Sequence, residues 1–402
     1  MRRSLALCLM FALLLAGCTV APKATTEPPL SGTVRVLVMG GPGLESTLFT
    51  GFQHLYPDVK PESVQLPEGD FQQIVDSIMS GATKVDAIIS PANSFFFAKG
   101  VVDPLDDMVK KSKLSLDEYG ATVELGMYKD KLFGLPVSVS PMLLVYNKEM
   151  FEQAGLKAPG ESWTWDEFEA AANALAAVQA GKEKGWGAAI APWTLVDLLL
   201  TAGKGPADAD LTALKTQLAR LHRLQSGDRA LPVEPLGSSD TDYFLAFARG
   251  EVGMLLGYWE NSFAHTKPQF SWGVAVPPGD SRTLGSATLA MVTANAENRA
   301  NAEAFVKFAA GPTGAQAVVR LPGAPVPGMV NDTVKAQWLA NAGLQDDSAF
   351  VLKLKYLPST EFPEEMIQPL LLEADAALKG KKTADEAIAA YQQARAPFMS
   401  KE

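Results

Sequence analysis

Cysteine is nearly missing from this chain of 402 residues: only Cys8 and Cys18 occur, both close to the amino end. The remainder therefore has no disulfide framework, no thiol nucleophile and no cysteine-ligated metal. Histidine is scarce as well. His54, His222 and His265 lie far apart, none in an HExxH or His-x-x-Glu pairing, and each reads as a surface or packing residue. No apolar run reaches the roughly 18 residues that span a bilayer, which excludes a permease. Basic charge is short, with 35 Lys and Arg against 45 Asp and Glu. A nucleic-acid partner, which wants a basic face, is excluded on that ground.

Catalytic signatures are missing too. There is no GxSxG elbow and no GxxxxGK[ST] phosphate loop. Gly40-Gly41-Pro42-Gly43 resembles a dinucleotide loop only loosely, since the third glycine of GxGxxG is replaced by Ser46. A strand-to-helix turn with close ligand approach is the better reading. Carboxylates are plentiful, as in glycosidases that work with two acids across a sugar bond. Here they fall mainly on helix faces and caps. The expectation is a binding protein without catalytic residues, cofactor or metal.

What is present begins with the amino end. Arg2 and Arg3 precede an apolar stretch from Leu5 to Leu15, too short for a membrane span, and Leu15-Ala16-Gly17-Cys18 then matches a lipobox. Residues 1–17 read as a lipoprotein signal peptide, and the Cys18 thiol as the acceptor of a diacylglyceryl group that holds the mature chain on a membrane face. Removing Arg2 and Arg3 makes the formal charge of −10 two units more negative. Residues 18–31, rich in Thr, Pro and Ala, cannot bury a core and read as a flexible tether.

The body alternates strand-like and helix-like segments, the pattern of α/β lobes. Strands are expected at Thr33–Met39, Asp86–Ser90, Val139–Tyr146, Val252–Tyr258 and Trp272–Val276. Thr164-Trp-Asp-Glu167 and Thr383-Ala-Asp-Glu386 are capping boxes ahead of apolar residues at helical spacing. A helix over Asn301–Ala310 stops at Gly311-Pro312.

Several segments, in order, carry a family likeness. Gly134-Leu135-Pro136, the run Val137–Val145 and Tyr146-Asn147-Lys148-Glu149 resemble a conserved region of extracellular solute-binding protein family 1, the maltose-binding-like group. Ala154-Gly155-Leu156, Thr164–Phe168, Phe247–Gly250 with Gly253-Met254 and Gly257-Tyr258-Trp259, Ala302–Ala309 and Gly380–Ile388 are similar to later motifs of that family. The resemblance runs from about Ser31 to Tyr391 and implies a type II periplasmic-binding-protein-like fold. Two α/β lobes would flank a ligand cleft and be joined by hinge crossovers, with residues 32–139 and 286–326 forming lobe 1 and residues 140–285 and 327–402 forming lobe 2. Hinge closure on the solute would then be read by an ABC permease and its cytoplasmic ATPase. The protein is expected to act as a monomer, outside the cytoplasm.

A sugar offers flat C–H faces and many hydroxyls, so its cleft needs aromatic rings and polar side chains. Trp259 ends a strand-like run after Gly257 and matches the family's stacking tryptophan; Trp193, ahead of a helix, resembles a second aromatic platform. Gly41 and Pro42 follow the first strand, Asn93 and Ser94 follow the strand DAIIS, and Ser138 and Ser140 sit at the crossover. Glu260 and Asp197 adjoin the two tryptophans as hydroxyl acceptors, and Phe362 precedes the last long helices. Maltose-binding members carry an acid at the position of Ser140, which argues against a maltodextrin. Trp163 and Trp165 are expected to staple a helix to its sheet instead. Carbohydrate capture leads; a lipid-anchored glycan-degrading enzyme, a binder of a peptide, polyamine or phosphorylated compound, and a sensor for a receptor kinase remain open.

Overall fold

The computed structural model describes residues 29–40, 43–65, 71–91, 94–160, 163–200, 202, 210–227, 229–232, 236, 239–259, 267–279, 282–344, 346–356 and 364–399. The signal peptide, most of the tether and Cys18 lie outside the described residues. The strands are β1 (Gly32–Val38), β2 (Val59–Ser63), β3 (Ala87–Pro91), β4 (Met127–Tyr128), β5 (Lys131–Leu132), β6 (Leu135–Asn147), β7 (Trp186–Ile190), β8 (Val252–Tyr258), β9 (Trp272–Ala275), β10 (Arg282–Thr283), β11 (Gly285–Val292), β12 (Val326–Pro327) and β13 (Lys355–Tyr356). Helices cover the intervals between many of them, as the alternating pattern requires.

The main sheet runs in the order β2-β1-β3-β11-β6-β8-β7, with β12 and β9 also pairing to β6. The β1–β2, β1–β3 and β7–β8 pairs are parallel, whereas β11 and β6 run antiparallel to their neighbours. β6 is the member that joins two halves. Its first residues pair with β11 and β12 up to Pro141 opposite Gly285. From Met142, opposite Tyr258, it pairs with β8 and β9. Pro141 has no N–H to place in a ladder, so a change of partner there loses no donor.

The five strands read from the sequence fall on β1, β3, β6, β8 and β9, with one difference of substance. β6 begins at Leu135 rather than Val139. Pro136 and Gly134 disguise its start, but Pro136 is accommodated opposite Leu289 where the β11 register shifts at Thr288/Leu289, a bulge that relaxes the need for its missing donor.

The two capping boxes form as read. The Thr164 hydroxyl accepts from the Glu167 N–H and the Thr383 hydroxyl from the Glu386 N–H, with each glutamate returning to the N-cap backbone. Ser239–Asp242 adds a third. On the β1 side the helix Arg299–Ala310 buries Phe305, whose ring meets Phe52 edge-on at 5.0 Å. On the β7 side the helix Trp165–Val178 buries Phe168 and Leu175. It lies so close to β7 that a Cβ on Gly187 would fall 1.8 Å from the Ala172 carbonyl oxygen, so only glycine fits. Trp163 and Trp165 pack edge-on against Phe168 at 6.0 and 5.5 Å, a contact within the start of the helix rather than with the sheet.

Candidate functional site

The carboxyl ends of β1 and β3 and the crossover stretch of β6 and β11 converge on one cleft of about 560 Å³. Met39 and Gly40 reach it from the end of β1, Pro91 from the end of β3, and Ser138 and Ser140 from β6. In an open α/β sheet the strand ends leave backbone groups and loops facing outward, which is where ligands are held. Trp259 closes the wall just beyond β8, and Leu321, Pro322 and Pro325 supply an apolar side. No described lining residue carries an ionisable side chain.

Ser138 and Ser140 occupy alternate positions of β6, so both face the cleft. Ser138 is nearly buried, at 4 % exposure. Ser140 is half-buried and donates its hydroxyl proton to the Trp259 carbonyl. Trp259 in turn donates its backbone N–H to the Pro141 carbonyl at 2.8 Å. Each end of this exchange belongs to a segment at the partner change of β6, so the strand switch and the cleft wall are built from the same hydrogen bonds.

Trp259 lines the cleft but is only 3 % exposed. Its ring stacks on Trp272 at 6.5 Å and 24° and meets Trp338 at 5.8 Å. Its Nε1 donates to the Ala324 carbonyl. The sequence places this ring toward the cleft, which Trp259 does line, with most of its surface packed against Trp272 and Trp338.

Other expected residues are placed in part. Gly41 and Pro42 follow Gly40 directly but lie outside the described residues, as do Asn93, Glu260 and Phe362. Ser94 opens the short helix Ser94–Ala98 and Trp193 lies in the helix Pro192–Leu200; the side chains of both are outside the described set. Asp197, in the same helix, accepts a 2.6 Å hydrogen bond from the Tyr258 hydroxyl. Burial raises the Asp197 pKa, with the like charge of Asp240 acting in the same sense and the Tyr258 bond opposing. The Tyr258 hydroxyl is itself pushed far up, chiefly by burial and then by the Asp197 charge. This pair stands outside the cleft lining. His222 is a packing residue, with Nδ1 3.4 Å from the Leu378 carbonyl.

Two polar cleft residues escaped the sequence reading. Ser286 and Thr288 of β11 both line the cavity, Ser286 opposite Ser140 and Thr288 opposite Ser138. Their i, i+2 spacing within Gly285–Val292 is a local sign that they share a strand face. Which face, and against which strand, depends on a pairing between segments more than a hundred residues apart.

A cleft at strand ends, walled by hydroxyls and an indole, is a site for holding a small molecule. The sequence agrees: a family model for bacterial extracellular solute-binding proteins matches residues 41–316. The chain belongs to this family. The solute-binding protein also shares its fold with solved structures of low sequence identity. A sugar transporter from Rhizobium etli in an open conformation superposes with a TM-score of 0.77 at 24 % identity, covering 90 % of this chain and 99 % of that one. An ABC substrate-binding protein from Listeria monocytogenes in complex with cycloalternan gives 0.70 at 20 % identity, covering 92 % and 99 %. UgpB from Mycobacterium tuberculosis in complex with glycerophosphocholine gives 0.67 at 18 % identity, covering 90 % and 97 %. The solute-binding protein thus has the two-lobed α/β fold of these proteins, in a family of binding proteins rather than enzymes.

Proposed function

We propose that this solute-binding protein captures a mono- or oligosaccharide, or a sugar alcohol, by hinge closure and delivers it to an ABC permease driven by a cytoplasmic ATPase. The observation that carries the reading is the cleft at the β6 crossover, where serine hydroxyls face an indole and apolar side chains with no ionisable group among the described lining residues. Polar groups that donate and accept, set beside apolar surface, suit the hydroxyls and C–H faces of a sugar. The printed ligands of the structural neighbours include cycloalternan, a point in favour, and glycerophosphocholine, the competing class.

In this reading residues 32–139 and 286–326 form one lobe and residues 140–285 and 327–402 the other. The partner change of β6 at Pro141 and the start of β11 at Gly285 support the first two boundaries. The protein works as a monomer without catalysis, held at the outer face of a membrane by acyl chains on Cys18, with residues 18–31 as its tether.

A thermal-shift screen of neutral sugars and sugar alcohols against a peptide, a polyamine and phosphorylated compounds tests the solute class. A bound solute at a hundred-fold excess over its Kd adds about 2.7 kcal/mol to stability. Stabilisation by a charged class alone, with no response to any sugar or polyol, would overturn the proposal. Recovery of cleaved oligosaccharide after incubation would replace it with the hydrolase reading.

A further inference from the structure

Ser138, Ser286 and Thr288 line the cleft, and within the described residues none of their hydroxyls has a hydrogen-bond partner. Ser138 is 4 % exposed as a residue, but its hydroxyl opens to the cleft, where a ligand or water can supply the partner it lacks. Ser140 differs: its proton is committed to the Trp259 carbonyl, so it has only lone pairs to present.

The four residues form two cross-strand pairs, Ser286 with Ser140 and Thr288 with Ser138. Opposite positions stand about 5 Å apart and alternate positions along a strand about 7 Å, so the hydroxyls mark the corners of a small rectangle. That is a patch for one compact polyhydroxyl unit. An anion presents acceptors alone and would set lone pairs against the lone pairs of Ser140. A cation would enter a described lining that holds no countercharge, which is disfavoured in a desolvated cleft. A neutral hydroxyl both donates and accepts, and so satisfies every corner.

Resting on the sugar or polyol reading of this cleft, we propose that Ser138, Ser286 and Thr288, with Ser140 as a fixed acceptor, are the specificity-determining contacts for one neutral sugar or sugar-alcohol unit. The ligand bridges β6 and β11 beside the partner change of β6. Its hydroxyls take the place of the partners that the side chains lack, and occupancy ties the two crossover strands together.

Calorimetric titration of the full-length protein with maltose, D-mannitol and glycerophosphocholine, repeated on S286A, T288V, S138A and the S286A/T288V double variant, tests this. Removal of each hydroxyl is expected to raise the Kd of the neutral probe that binds by about 2–10-fold. The double variant is expected to lose more than either single one. Ser286 is exposed, so S286A is expected to melt with the wild type and to report binding alone. If a neutral probe binds the wild type and the S286A/T288V variant with equal Kd, the hydroxyl patch is overturned while the carbohydrate reading stands. If only glycerophosphocholine binds, or no probe does, the reading itself fails and the patch falls with it.

Discussion

The indole N–H groups of Trp259 and Trp338 converge on one acceptor, the carbonyl oxygen of Ala324, at 3.4 and 3.3 Å. A carbonyl has two lone pairs, and here both are used by aromatic donors from separate segments. Trp259 follows β8, Trp338 lies in the helix Asp332–Ala342, and Ala324 belongs to the turn that leads into β12. Three stretches of chain are tied together behind the cleft wall by this shared acceptor, and loss of either ring leaves it a single donor.

Trp338 is fully buried and does not line the cleft, so its role is mechanical. Trp338→Ala should lower stability by about 3–5 kcal/mol in urea unfolding, the range for emptying a large aromatic site. Trp259→Ala should destabilise and also weaken solute binding, because the same ring forms cleft wall. Unchanged stability in both variants would disprove the shared role of the Ala324 carbonyl.

The Asp86 carboxylate is fully buried, pairs with Arg35 at 3.0 Å and accepts the Asn298 N–H. Burial pushes its pKa up, but the Arg35 side chain and backbone, with Asn298, outweigh that and hold it below the ordinary value. A lowered pKa contributes stability above the unfolded value near 4, and that stability is lost as pH falls through the folded pKa. Asp86→Ala should therefore lose about 2–4 kcal/mol at pH 7, less than the full effect of stranding a buried charge because Arg35 keeps Glu297. The gap from wild type should close as pH drops from about 5 toward 2. A gap independent of pH would point to packing rather than charge.

Asp197 has the opposite sign. Its raised pKa means that the folded state holds the proton more tightly than the unfolded chain, so its contribution is greatest in acid and falls as pH rises through the folded pKa. Asp197→Asn keeps an acceptor for the Tyr258 hydroxyl and removes the charge. Melting curves should show the variant gaining on wild type from pH 4 to pH 8. A constant offset across that range would count against burial as the cause.

Gly285 stands at the edge of β11, where a Cβ would meet the Tyr356 ring at 2.5 Å. Gly285→Ala should cost about 1–3 kcal/mol of stability through overpacking and disturb the neighbouring Ser286. Combining it with Tyr356→Ala should give less than the sum of the two losses, since the second change removes the clash. Full additivity in that cycle would show that the two residues do not meet.

Features that depend on neighbours in sequence were legible without coordinates. The capping boxes at Thr164 and Thr383 involve atoms three residues apart, so their formation follows from local chemistry. β8 was read at its observed ends because Val252–Tyr258 is apolar, continuous and followed by a break. The start of β6 was hidden because Pro136 signals an edge or an end, and only the bulge at Val137 of β6, where its register on β11 shifts, makes it tolerable inside a ladder.

The site divides along the same line. Ser138 and Ser140 were singled out by their place at the crossover, but the strand was expected from Val139, and only the start of β6 at Leu135 puts both serines on one strand face. The addition of Ser286 and Thr288 needed the register of β11 on β6, since a slip of one residue would turn both hydroxyls away from the cleft. Trp259 was identified by its place after β8, yet its burial against Trp272 and Trp338 rests on segments that meet only in the folded chain. Local chemistry determined the strands, caps and motif order. Long-range pairing decided which hydroxyls share the cleft and which face of the indole is spent on the core.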